Sequence, residues 1–136
     1  MTAKTLSATE VAEGDELPAL DVPITTTAIV AGAIASRDYQ DVHHDAALAR
    51  ERGSKDVFMN ILTTNGWVGR FITDWAGPDA VLKKVAIRLG APNYPGDTMR
   101  MTGRVAAKRD GEVEVEIRGA NSLGDHVVGT VTLVLP

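Results

Sequence analysis

Glu112-Val113-Glu114-Val115-Glu116-Ile117-Arg118, EVEVEIR, alternates charged and apolar residues without a break. Successive side chains of an extended strand point to opposite faces, so Val113, Val115 and Ile117 are expected on a buried face, with the glutamates and Arg118 in water. Just before it, Arg109-Asp110-Gly111 is a hairpin signal, because glycine accepts the positive φ that tight primed turns need. Thr98 to Ala107 then reads as the partner strand. Just after it, Asn121-Ser122-Leu123-Gly124-Asp125 turns the chain into another strand, Val127 to Val134. Further upstream, Val81 to Leu89 reads as a strand that ends at Ala91-Pro92-Asn93-Tyr94-Pro95-Gly96-Asp97, where prolines and glycine stop regular structure. The C-terminal half is therefore expected to be four antiparallel strands.

The segment before this sheet is helical in character. From about Asn60 to Trp75, the residues Ile61, Asn65, Val68, Ile72 and Trp75 fall near one face of a helix that Gly77-Pro78 ends. Gly66 and Gly69 inside it each cost about 1 kcal/mol relative to alanine, so another backbone is expected to approach there. A shorter, superficial helix is expected over Asp45 to Gly53, with Asp45 as the cap and Gly53 as the left-handed stop. A glycine-bearing apolar helix followed by a long antiparallel sheet predicts an α+β fold, with the sheet wrapped around the helix. The expected organisation is one domain over residues 1–136.

Composition narrows the chemistry. With 44% hydrophobic residues in 136, the chain can bury a core. Its net charge of −4 and scattered Lys and Arg argue against nucleic acid or an anionic membrane surface as partner, since polyanions need concentrated positive charge. Without cysteine there are no disulfides, no thiolate catalysis and no zinc ribbon. MTAKTLSATEVAEGDELPAL lacks the apolar core of a signal peptide, and no apolar run reaches the roughly 18 to 20 residues that span a bilayer. The expectation is a soluble cytoplasmic protein.

Candidate chemistry concentrates in Ser36-Arg37-Asp38-Tyr39-Gln40-Asp41-Val42-His43-His44-Asp45, which holds two of the three histidines. A metal site needs three or four converging ligands, yet adjacent histidines point in different directions in any regular structure. A solvated loop with Asp45 as helix cap accounts for the same residues. An acid/base pair needs one carboxylate and one imidazole near a shared water, and Asp38 and His43 across a short loop meet that need. The residues alone do not separate the last two readings. Elsewhere, His44 reads as a solvated neighbour, His126 as a structural or interface residue, and Trp67 and Trp75 as core or interface anchors.

Asp38, four residues and His43 resemble the hydratase motif of the MaoC-like (R)-specific enoyl-CoA hydratases, usually S-G-D-x-N-P-x-H. Tyr94-Pro95-Gly96-Asp97-Thr98 is similar to the P-G-D loop of that family. More narrowly, RDYQDVHHD (37–45), GSKDVFMNIL (53–62), TDWAGP (73–78) and NSLGDHV (121–127) resemble the small MaoC-type subunits of heteromeric steroid enoyl-CoA hydratases from bacterial cholesterol side-chain degradation.

The resemblance implies a hot-dog fold and hydration of a trans-2-enoyl-CoA, with Asp38 and His43 as the catalytic pair. It implies that the Asn60 backbone N–H holds the thioester oxygen, where the family often has a glycine. Gln40 stands for the motif's asparagine and is expected to hydrogen-bond in its place, while Arg37 replaces the glycine and Asp41 the proline. No metal or redox cofactor is expected, and CoA enters as part of the substrate. Arg50, Arg52 and Lys55 either meet CoA phosphates or form an ordinary charged surface, the second being preferred. The implied partner is a second MaoC-like chain lacking the pair, in a heterodimer or a dimer of heterodimers. A homodimer is the state expected alone, with sheets extended through the last strands. The competing readings on the same fold are a non-catalytic acyl-CoA-binding or structural subunit, a short-chain hydratase, and a thioesterase.

Overall fold

The structure, a computed structural model, describes residues 3–136. In chain order it contains β1 (Leu20–Pro23), α1 (Thr26–Ala35), α2 (Ala46–Glu51), α3 (Ile61–Ala76), β2 (Val81–Leu89), β3 (Thr98–Arg109), β4 (Glu112–Asn121) and β5 (Gly124–Val134), with single 3-10 turns at Ala8–Glu10 and Asp41–His43. The four C-terminal strands lie where the alternation puts them. Asp110 at φ 52 and Gly111 at φ 81 form the primed turn between β3 and β4. Val113, Val115 and Ile117 are buried, and they pair across the sheet with Leu133, Val131 and Gly129 of β5.

The five strands form one antiparallel sheet in the order β1-β3-β4-β5-β2. This corrects the expectation that sheets extend between subunits through the last strands: β5 is interior, paired on both sides, and the free edges belong to β1 and β2. The sheet curls around α3, whose Val68, Phe71, Ile72 and Ala76 meet Met99, Met101, Val115, Val131 and Leu133 in the core. Each of these side chains except that of Ala76 contributes about 1.5–3 kcal/mol on burial, which outweighs the weak helix propensity of a segment with two internal glycines. This is the hot-dog arrangement.

Two details of α3 differ from expectation. Its buried face is Thr64, Val68, Phe71, Ile72 and Ala76, whereas Ile61 is 47% exposed and Asn65 and Trp75 are half-buried. Among the described residues no other backbone approaches Gly66 or Gly69: a Cβ at Gly66 would meet nothing within 4 Å, and one at Gly69 only the Leu82 side chain at 3.9 Å. The close contact of α3 is made instead at Gly32 of α1, where a Cβ would fall 2.2 Å from Thr63 Oγ1. Glycine is thus required on the crossing helix, leaving space beside Gly66.

Candidate active site

Helix α1 ends beside the candidate pair, and the way it ends matters. Ser36 caps it, Arg37 adopts a left-handed φ of 56, and the chain folds back with Arg37 N–H donating to Ile34 O at 3.0 Å and Asp38 N–H to Ala33 O at 2.9 Å. These two bonds make a Schellman motif, whose left-handed position usually belongs to glycine. The reversal sets Asp38 facing the 3-10 turn Asp41–His43, on which His43 is 6% exposed.

His43 Nδ1 lies 2.7 Å from the Phe58 carbonyl oxygen, and its ring stands edge-on to the Phe58 ring at 4.9 Å between centroids. A carbonyl only accepts, so Nδ1 carries a hydrogen and Nε2 is the nitrogen left for chemistry. Nε2 lies 3.3 Å from Asp38 Oδ2. Nε2 and the carboxylate are thus close enough to face one water molecule.

Asn60, 2% exposed, joins three parts of the site. Its Oδ1 accepts from Thr63 N–H at 3.0 Å, capping α3, while its Nδ2 donates to Ser36 Oγ at 2.9 Å and to Asp38 Oδ2 at 3.0 Å. Ser36 in turn donates to Gly32 O at 2.7 Å. The Asn60 amide holds the Asp38 carboxyl below the usual carboxylate range, helped by the Gln40 N–H at 3.3 Å and by His43, with burial opposing. Among the described residues no acceptor takes the Asn60 backbone N–H, at the positive end of α3.

The rest of the polar decapeptide serves the loop. Asp41 pairs with Arg52 at 2.8 Å, Asp45 caps α2 through Leu48 N–H at 3.1 Å, and His44 is exposed. Among the described residues no three His, Asp or Glu side chains are grouped to hold a metal ion. The Gln40 side chain is exposed and makes no hydrogen bond among the described residues, so Gln40 serves Asp38 through its backbone N–H alone. Arg50 donates to Lys55 O at 3.2 Å, and Lys55 Nζ sits 5.8 Å over the Tyr94 ring. A groove of about 380 Å³ starts at Ser36 and runs between α1 and α3, past Gly32, Leu62, Gly66, Trp67 and Arg70.

Residues 9–125 match the MaoC like domain. The chain belongs to the MaoC-like family. It is 51% identical over 120 residues to the 3-oxo-4,17-pregnadiene-20-carboxyl-CoA hydratase beta subunit of Mycobacterium tuberculosis, covering 88% of this chain and 93% of that one. It superposes with a TM-score of 0.91 on a chain of the crystal structure of the ChsH1-ChsH2 complex from Mycobacterium tuberculosis, at 49% identity, covering 92% of this chain and 98% of that one. The R-hydratase PhaJ1 from Pseudomonas aeruginosa, in its unliganded form, shares the fold with a TM-score of 0.90 at 21% identity, covering 99% of this chain and 88% of that one.

Within this MaoC-like chain the departures from S-G-D-x-N-P-x-H acquire physical meaning. Arg37 stands at the Schellman position that suits the motif's glycine. Asp41, in place of proline, opens the 3-10 turn and anchors it through Arg52. Asn60 supplies Asp38 with the side-chain amide that Gln40 does not. That role escaped sequence reasoning, as did the Phe58 carbonyl. An asparagine before an apolar helix is legible as a cap, but nothing in the spacing tells that its other end reaches Asp38, 22 residues back.

Proposed function

We propose that this chain is the catalytic subunit of an enoyl-CoA hydratase, adding water to a trans-2-enoyl-CoA to give the 3-hydroxyacyl-CoA. The observation that carries this reading is the contact between His43 Nε2 and Asp38 Oδ2 at 3.3 Å, at the N-terminus of α3, in a chain of this family. Water bound by the pair attacks C3. One member of the pair takes a proton from it, and a proton is delivered to C2 on the same face, so addition is syn. Negative charge that develops on the thioester oxygen is met by the Asn60 backbone N–H and the helix dipole, an interaction that strengthens toward the transition state. The chemistry uses no metal or redox cofactor; CoA is part of the substrate.

The similarity to a beta subunit supports a second MaoC-like chain as partner and a steroid enoyl-CoA with a shortened side chain as substrate. The reading places the reaction in the cytoplasm, a reducing setting that a chain without cysteine fits. The test uses the complex with that partner. Asp38→Asn and His43→Ala are each expected to lower hydration by about 100-fold or more with the fold intact, since each removes a proton-transfer partner worth that much, while His44→Ala stays mild. Loss of the enoyl chromophore without thiol release is the expected signal. Thiol release would make the chain a thioesterase, and full activity of a folded Asp38→Asn complex would end the acid/base reading.

A further inference from the structure

His126 takes no part in the proposed reaction, yet it is buried, 2% exposed. Its Nδ1 lies 2.7 Å from the Ala91 carbonyl and its Nε2 lies 2.8 Å from Thr64 Oγ1. The carbonyl fixes the hydrogen on Nδ1, so Nε2 accepts from the Thr64 hydroxyl. Burial pushes the imidazole pKa down, which keeps Nε2 an acceptor. Thr64, also fully buried, lies one turn beyond Asn60, and its N–H donates to Asn60 O at 3.2 Å.

These bonds fasten the first turn of α3 from two sides. Below, β5 holds Thr64 through His126. Above, Asn60 reaches out to Ser36 and Asp38. Neither His126 nor Thr64 hydrogen-bonds to Asp38 or His43. An apolar pair of the same shape would fill the space without desolvating polar groups, so stability alone does not call for a hydrogen bond here. A directional bond adds rotational register: turning α3 about its axis by roughly 10–20° would carry the Asn60 amide beyond the tolerance of a working site.

We propose that the buried His126–Thr64 hydrogen bond is a positioning device, pinning the first turn of α3 to β5 so that Asn60 keeps Asp38 set against His43. His126 and Thr64 are thus positioning residues, and the idea rests on the hydratase reading above. Thr64→Val keeps the shape and removes the donor, whereas Thr64→Ser keeps the donor and removes a methyl group. In the assembled complex both are expected to melt below wild type, but only Thr64→Val should lose turnover. The expected loss is about 10- to 100-fold in kcat, the scale of a displacement of about 1 Å at a reacting group, with KM within about twofold. His126→Asn, whose amide can replace Nδ1 toward Ala91 O but is too short to take the place of Nε2 at Thr64, should match Thr64→Val, and the double variant should lose no more than either alone. Wild-type kcat in Thr64→Val, kcat losses that follow melting temperature across the two Thr64 variants, or additive losses in the double variant would overturn the proposal. If His126→Asn does not fold, the Thr64 pair decides. Asp38→Asn run alongside separates the two levels: if it stays active the hydratase reading fails, and if it is dead beside a fully active Thr64→Val only the positioning role fails.

Discussion

Arg37 holds a left-handed φ of 56 at the end of α1, where a side chain costs about 1–2 kcal/mol. Glycine avoids that cost but gives back roughly 0.5–1 kcal/mol through its freedom in the unfolded chain. Arg37→Gly is therefore expected to melt at or slightly above wild type, and Arg37→Val clearly below it; thermal melts check both. One residue further, Asp38 is a carboxylate whose folded pKa is depressed, first by the Asn60 amide. Such a group contributes stability that is full above the unfolded value of about 3.9 and is lost as pH falls through the folded value. The same bond sets the acid side of activity. Asn60→Ala should move the acid limb of kcat/KM, where Asp38 gains its proton, to higher pH than in wild type. An unmoved limb in a folded Asn60→Ala complex would mean that the amide does not tune Asp38.

At the scale of elements, α3 carries both the site's cap and the floor of the groove. Gly66 is helical and faces open space, so Gly66→Ala should raise stability by about 0.5–1 kcal/mol, read from melting. Gly66→Leu fills the same space. With a bulky acyl body in the groove, it should cut kcat/KM for a steroid enoyl-CoA far more than for crotonyl-CoA, and an equal effect on both would place the acyl body elsewhere. Helix α1 is the other wall, and its sequence TTAIVAGAIA is apolar on nearly every side. It presents no polar stripe for periodicity to detect, although Thr25 caps it through Ala28 N–H at 3.0 Å.

For the whole molecule, the free edge of β2 is the longer of the two, nine residues against the four of β1. An unpaired edge invites another strand, and a second MaoC-like chain is the occupant the proposed function implies. Mixing with that partner is expected to give a heterodimer or a dimer of heterodimers in sedimentation, with β2 amides gaining protection from hydrogen exchange. A monomer at micromolar concentration, unchanged by the partner, would defeat this. The assembled complex should also favour a steroid enoyl-CoA over crotonyl-CoA in kcat/KM, because burying a fused-ring body contributes roughly 25 cal/mol per Å² of apolar surface that crotonyl lacks.

What the amino-acid sequence determined by itself is local: the alternation of Glu112 to Arg118, the Asp110-Gly111 turn, the helix that Asn60 starts and Gly77 ends, and the D-x-x-x-x-H spacing of Asp38 and His43. Each follows from backbone geometry within one element, where side-chain period, capping and allowed φ leave a mark on neighbouring residues. The four-residue β1 and the all-apolar α1 leave no such mark. Only the tertiary structure decided that β2 crosses over to pair with β5, that Gly32 rather than Gly66 meets the other helix, that Asn60 reaches Asp38, and that His126 meets Thr64, 62 residues away. These meetings depend on how the sheet curls and on where the loops return the chain. Both are set by packing summed over the whole molecule, so no short stretch of sequence records them.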